Sequence, residues 1–105
     1  MTNQTINEGD NLVLACQVCG KPTPSITWEG PPASTPLRAD QRVRTVEKEN
    51  GMARLEIVGI QQEEKGEYTC IATNAIGSQT SSALVTVRGM SVLKKVHTNI
   101  PIYTT

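Results

Sequence analysis

A chain of 105 residues has room for one domain and one core, and its ten basic and ten acidic residues cancel, so no long-range field favours nucleic acid or an anionic membrane. No run approaches the roughly 18 apolar residues of a membrane span, and the start lacks a signal-peptide apolar region, which predicts a soluble piece of a cytosolic protein or of a secreted one whose signal lies outside it. With one Trp, two Tyr and no Phe, the core must come from Val, Ile, Leu and Ala, which suits packing between β-sheets.

Short strand-like runs separated by turn signals recur along the chain. Gln4 to Asn7 reads as a first edge strand closed by Glu8-Gly9-Asp10. Leu12, Leu14, Cys16 and Val18 then alternate, as in a strand with one buried face. Gly20 to Pro24 is a stiff extended loop, because each Pro fixes its own φ and restrains the residue before it. Ile26 and Trp28 are the inward positions of a third strand. Gly30 to Ala39 holds Pro31, Pro32 and Pro36 and cannot be a regular central strand. Arg42 to Glu47 resumes a strand, and Asn50-Gly51 signals a hairpin before Met52 to Val58, with Leu55 and Ile57 inward and Ile60 closing that end of the core.

Gln61 to Lys65 is a polar turn. Tyr68, Cys70 and Ala72 line the inner face of the next strand. Asn74 to Gly77 fits a hairpin whose Gly is left-handed in a bulge, and Ala83, Val85 and Val87 alternate inward on the last strand. Residues 1–89 thus read as one domain. Residues 90–105 read as a C-terminal tail or linker, although Ser91 to Val96 has some strand character.

Cys16, Trp28, and Tyr68 two residues before Cys70 have the spacing of an all-β sandwich core, with a Trp against the cysteine pair and a Tyr securing a corner. Together with Glu8-Gly9, Gly20-x-Pro22-x-Pro24, Leu55-x-Ile57, Gly66-x-Tyr68-x-Cys70, Asn74 and Gly77, they make the chain resemble the intermediate-set (I-set) immunoglobulin family over residues 4 to 88. The resemblance implies an immunoglobulin-like Greek-key sandwich of two antiparallel sheets. It also implies a role in protein recognition or spacing. Val18 to Pro22 and Ser25 to Pro31 are further similar to the module beside the kinase domain in kalirin- and Trio-type Rho exchange factors. Glu64 stands where the family usually has Asp; that acid pairs with an Arg, here Arg42, which the longer Glu can also reach. The chain starts within the usual first strand, which leaves one sheet edge partly uncovered.

Catalysis and cofactors have no constellation behind them. His97 lacks a nucleophile or carboxylate arrangement to join. The acids Glu47, Glu49, Glu63, Glu64 and Glu67 lie on turns and exposed faces without calcium-loop spacing. Cys16 and Cys19 fall on opposite strand faces, unsuited to share a metal. A Cys16–Cys70 bridge would close a loop of about 55 residues and contribute about 4 kcal/mol; reduced, the pair packs as small apolar groups. Asn3-Gln4-Thr5 has the form of a glycosylation sequon. The basic residues make no stripe with interleaved aromatics, so nucleic acid is disfavoured.

The expectation is therefore a non-catalytic, monomeric module within a multidomain chain, binding a protein or acting as a spacer. It needs no cofactor or metal and does not insert into membrane. Its setting is an intracellular cytoskeletal or signalling protein, with a cell-surface adhesion or receptor domain as the alternative.

Overall fold

The alternation of apolar and other residues resolves into eight strands in a computed structural model that describes residues 1–32, 34–48 and 50–89. They are β1 (Gln4–Asn7), β2 (Leu12–Gln17), β3 (Ser25–Gly30), β4 (Thr35–Pro36), β5 (Val43–Glu47), β6 (Met52–Ile57), β7 (Gly66–Thr73) and β8 (Ser78–Arg88), with one 3-10 turn at Gln62–Glu64. One sheet has the order β1-β8-β7-β3-β4 and the other β2-β6-β5. The sequence assignment of a tail to residues 90–105, with His97, lies outside the described residues.

The chain changes sheet between β1 and β2, β2 and β3, β4 and β5, and β6 and β7, so strands close in sequence face one another across the core. All pairings are antiparallel except β1 with β8, which run parallel with Gln4 opposite Val85 and Asn7 opposite Arg88. β1 therefore belongs to one sheet and its successor β2 to the other, and the turn at Gly9 carries the chain across.

Side chains of period two meet between the sheets. Leu12 and Leu14 from β2, and Ala53, Leu55 and Ile57 from β6, oppose Trp28, Tyr68, Cys70, Ala83, Val85 and Val87, with Ile60 at one end. No buried polar or charged residue occurs among the described residues. Burying such side chains is worth about 1.5–3 kcal/mol each relative to exposure.

The Pro-rich segment pairs through β4, two residues on the edge of β3, with Glu29 opposite Pro36 and Gly30 opposite Thr35, and the Leu37 amide beyond it donates to the Trp28 carbonyl at 2.9 Å. A Pro on an edge forfeits no interior ladder bond, which is why the strand survives there. Asp40 opens β5. Its Oδ1 accepts the Arg42 and Val43 amides at 2.7 and 2.9 Å, and these bonds, the Arg42 one foremost, hold its carboxyl below the ordinary carboxylate value.

One sequence expectation is corrected. Gly77 does not take a left-handed conformation; among the glycines, positive φ occurs at Gly9, Gly51, Gly59 and Gly66 instead. The Asn74 carboxamide supplies what the turn needs: its Oδ1 accepts the amides of Ile76 and Gly77 at 2.9 and 3.2 Å. A side chain that mimics a backbone acceptor closes the turn without a left-handed residue.

Candidate functional site

Three features are built on this frame: a thiol pair between the sheets, a braced corner and a stiffened hairpin tip.

β2 places Cys16 on its inner face and β7 places Cys70 opposite, and the two Sγ atoms lie 2.8 Å apart. Trp28 is the cross-strand partner of Cys70, so its ring lies beside the pair on the same inner face. The two thiols are unequally placed. Cys70 is 3% exposed, and burial, then its bond to Cys16, pushes its pKa up to about 12. Cys16 is only half-buried, and Cys19 is exposed.

At the other end, the Tyr68 hydroxyl donates to the Glu64 carbonyl at 2.6 Å. Arg42 grips the Glu64 carboxylate with both terminal nitrogens, at 2.7 and 3.3 Å. Its Nε and Nη2 also donate to the carbonyls of Val58 and Gly59 at 3.0 and 2.9 Å. Glu64 Oε1 additionally accepts the Gln61 amide at 2.8 Å. The Arg42 pKa is raised, chiefly by its hydrogen bond to Glu64. The two side chains are 44% and 23% exposed, so the ion pair itself is worth at most about 1 kcal/mol. Its effect is to tie the β6–β7 crossover to the start of β5. The carbonyl contacts of Arg42 have no sequence signal, because they depend on where the chain turns at Gly59.

Burial raises the Tyr68 pKa to about 12. Tyr68→Phe should cost about 0.5–1.5 kcal/mol through the lost hydroxyl bond, read as a lower urea midpoint at pH 7. The shift also sets an alkaline window. The neutral phenol is the form favoured in the fold, so this contribution is complete below the unfolded value near 10 and is lost as pH rises through about 12. It amounts to roughly 2–3 kcal/mol. Cys70 adds a contribution of the same sign, so the difference between wild type and Tyr68→Phe isolates Tyr68. Parallel stability curves between pH 9 and 12 would contradict the assignment.

The third feature is the β7–β8 tip. Asn74 Nδ2 donates to the Pro22 carbonyl at 2.8 Å, across 52 residues of sequence, and the Asn74 amide donates to the Gly77 carbonyl at 2.9 Å. The tip and the Gly20–Pro24 loop are thus bound together. Ile76 stands out from this braced turn at 81% exposure, against 51% for Leu84, 49% for Val58 and 44% for Val13. Beneath it a groove of about 600 Å³ runs between β2 and the start of β8, lined by Cys16, Val18, Cys70, Ala72, Asn74 and Ser81 among others.

Asn3 is exposed beside β8, and its Oδ1 accepts the Leu84 amide at 2.8 Å. Among the described residues, no group of three or more His, Cys, Asp or Glu could hold a metal ion, and no helix is long and apolar enough to cross a membrane. The sequence pattern had no means of revealing the groove, because its walls come from opposite ends of the chain.

Comparison with known proteins is consistent with this geometry. The immunoglobulin I-set domain family matches residues 1–87. A titin homolog of Caenorhabditis elegans is 34% identical over 94 residues, 90% of this chain and a share of that protein that rounds to 0%. Neural cell adhesion molecule L1 of Rattus norvegicus is 38% identical over 80 residues, 76% of this chain and 6% of that protein. Among solved structures, the complex of titin M10 with an immunoglobulin domain of obscurin-like 1 aligns with a TM-score of 0.78 at 26% identity, covering 87% of this chain and 90% of that one. The chain spans only a few per cent or less of the curated relatives it matches. Sandwich topology, apolar core, cysteine pair and tyrosine corner together with these matches place the chain in the immunoglobulin superfamily, as an I-set domain.

Proposed function

We propose that this chain is a non-catalytic module, residues 1–89, that binds or spaces proteins within a larger intracellular cytoskeletal or signalling protein, with residues 90–105 as linker. The observation that carries the binding reading is the presentation of Ile76. A large apolar side chain held at 81% exposure on a turn fixed by Asn74 costs little further ordering when a partner covers it. The likeness to a chain of the titin M10–obscurin-like 1 complex supports a protein partner. The likeness to a titin homolog supports the cytoskeletal setting. A non-catalytic role is supported by ionisable groups such as Arg42, Glu64 and Asp40 being engaged in structural bonds.

The test compares proteins retained by immobilised wild-type chain and by Ile76→Asp. The expected result is a retained partner that the variant loses at an unchanged melting midpoint, and that residues 1–89 alone still hold at that same midpoint. Identical retention by wild type and variant would overturn the role of the tip.

A second reading, a cell-surface adhesion or receptor domain, is favoured by the exposed Asn3 sequon and by the match to neural cell adhesion molecule L1. It requires sugar on Asn3 and a bridged Cys16–Cys70 pair in the native protein.

A further inference from the structure

β8 is 11 residues long, but β1 covers only its end, where Gln4 to Asn7 lie opposite Val85 to Arg88. Asn3 Oδ1 accepts the Leu84 amide just before that cover begins. From there back to the Asn74–Gly77 turn, no strand among the described residues lies on that side of β8. The Asn74 amide donates to the Gly77 carbonyl, and hydrogen-bonded pairs alternate along an antiparallel ladder. Gln79, Ser81 and Ala83 therefore bond to β7, whereas the amides and carbonyls of Ser78, Thr80 and Ser82 point away from it. All three residues are exposed. Met1 lies on the inner side, where its ammonium donates to the Ser81 hydroxyl at 2.7 Å.

Other edges of the sandwich are blunted. At β5, Asp40 takes the Arg42 and Val43 amides, and its own amide donates to the Val43 carbonyl at 3.0 Å. β4 ends in Pro36. On β2, Gln4 Nε2 donates to the Val13 carbonyl at 2.9 Å. Charge, proline and such caps keep a sheet edge from pairing with another chain. The open edge of β8 has none of them, and from Tyr68 to Val87 the sequence holds no Asp, Glu, Lys, Arg or Pro.

We propose that the open edge from Ser78 to Ser82 pairs antiparallel with the same edge of a second copy of this chain, joining two five-stranded sheets across a twofold axis. Pairing identical strands sets like residues near one another, which penalises a charged edge and leaves an uncharged one unopposed. The open stretch is bounded by the turn at Gly77 and by Asn3 at Leu84. The register that uses all of it sets Thr80 opposite its own counterpart and Ser78 opposite the partner's Ser82. Their hydroxyls then meet as those of Thr69 and Ser82 do within the sheet, at 2.8 Å. The same register brings Ile76 to the level of the partner's Leu84, and these are the two most exposed large apolar residues, at 81% and 51%. A contact along so short an edge sits at the small end of specific interfaces. The dimer therefore forms and dissociates with concentration, and the monomer expected from the sequence is its dilute limit.

The experiment measures the mass of the full chain by sedimentation equilibrium, in reductant, from about 1 μM to about 1 mM. The expected result is a mass rising from one chain toward two. Thr80→Lys sets two cations opposite each other across the axis, so it should stay monomeric over the same range with an unchanged urea midpoint. The register is read by cross-linking in a Cys19→Ser background under mild oxidation of the folded protein. Opposed residues of a hydrogen-bonded pair have Cα atoms about 5.5 Å apart, within disulfide reach, so Thr80→Cys should give a covalent dimer through the introduced thiols. Ser82→Cys should not, because the two introduced thiols would be offset by about 13 Å along the strands. A single-chain mass at every concentration, association that survives Thr80→Lys, or equal cross-linking of the two cysteine variants would overturn the proposal. So would protection of the Thr80 amide from hydrogen exchange only after a different protein is added, which would assign the edge to that protein.

Discussion

Trp28→Ala is expected to remove about 3–5 kcal/mol of stability, the usual cost of deleting a large aromatic side chain from a core. Trp28 is 3% exposed and stands opposite Cys70 between the sheets. Its backbone is held in the β3–β7 register that runs from Ser25–Thr73 to Glu29–Thr69. Domains of this size hold only about 5–15 kcal/mol in reserve, so the loss takes between about a fifth and all of it. Because Trp28 is the only tryptophan, urea unfolding must be followed by circular dichroism rather than by its fluorescence. A midpoint near that of wild type would mean that the ring is not a core residue.

Gly51→Ala should be nearly as damaging, for a different reason. Gly51 sits in the β5–β6 hairpin with φ at +87°, and a Cβ there would lie 2.2 Å from the Val18 carbonyl oxygen. That carbonyl belongs to backbone already fixed, since the Val18 amide donates to Gly51 O at 2.7 Å. The left-handed backbone costs a non-glycine residue about 1–2 kcal/mol, and forcing the clash apart adds about 1–3 kcal/mol. Gly59 separates the two contributions. Its φ is +66°, but a Cβ there meets nothing within 4 Å, so Gly59→Ala should show only the backbone cost. Equal losses at the two positions in urea titrations would refute the clash with Val18.

The hairpin at Asn50-Gly51 and the inward residues of β2, β6, β7 and β8 were legible because they are local. Period-two alternation and turn chemistry are written in consecutive residues. The spacing of Cys16, Trp28, Tyr68 and Cys70 carried further, because a family pattern supplies the pairing that local chemistry cannot. Arg42 and Glu64, named from that pattern, do stand 2.7 Å apart.

What was not legible depends on partners distant in sequence. Nothing in Gln4 to Asn7 says that it pairs parallel with β8. Nothing in the Pro-rich segment marks Thr35 and Pro36 as the two residues that reach β3. The Gly77 expectation failed because a glycine in a hairpin usually supplies a left-handed residue, whereas here Asn74 closes the turn and also anchors it to Pro22. The groove beside Cys16 is likewise a property of β2 and β8 together, which meet only in the fold.

The central claim, an intracellular module rather than a cell-surface one, is tested most directly by counting free thiols. The protein is taken from its native compartment without reductant, its thiols are blocked at lysis, and the count is made under denaturing conditions. A reducing pool keeps the Cys16–Cys70 pair in its dithiol form, so three free thiols are predicted: Cys16, Cys19 and Cys70. A single free thiol at Cys19, with Cys16 bridged to Cys70, would contradict the account and assign the domain to the cell exterior.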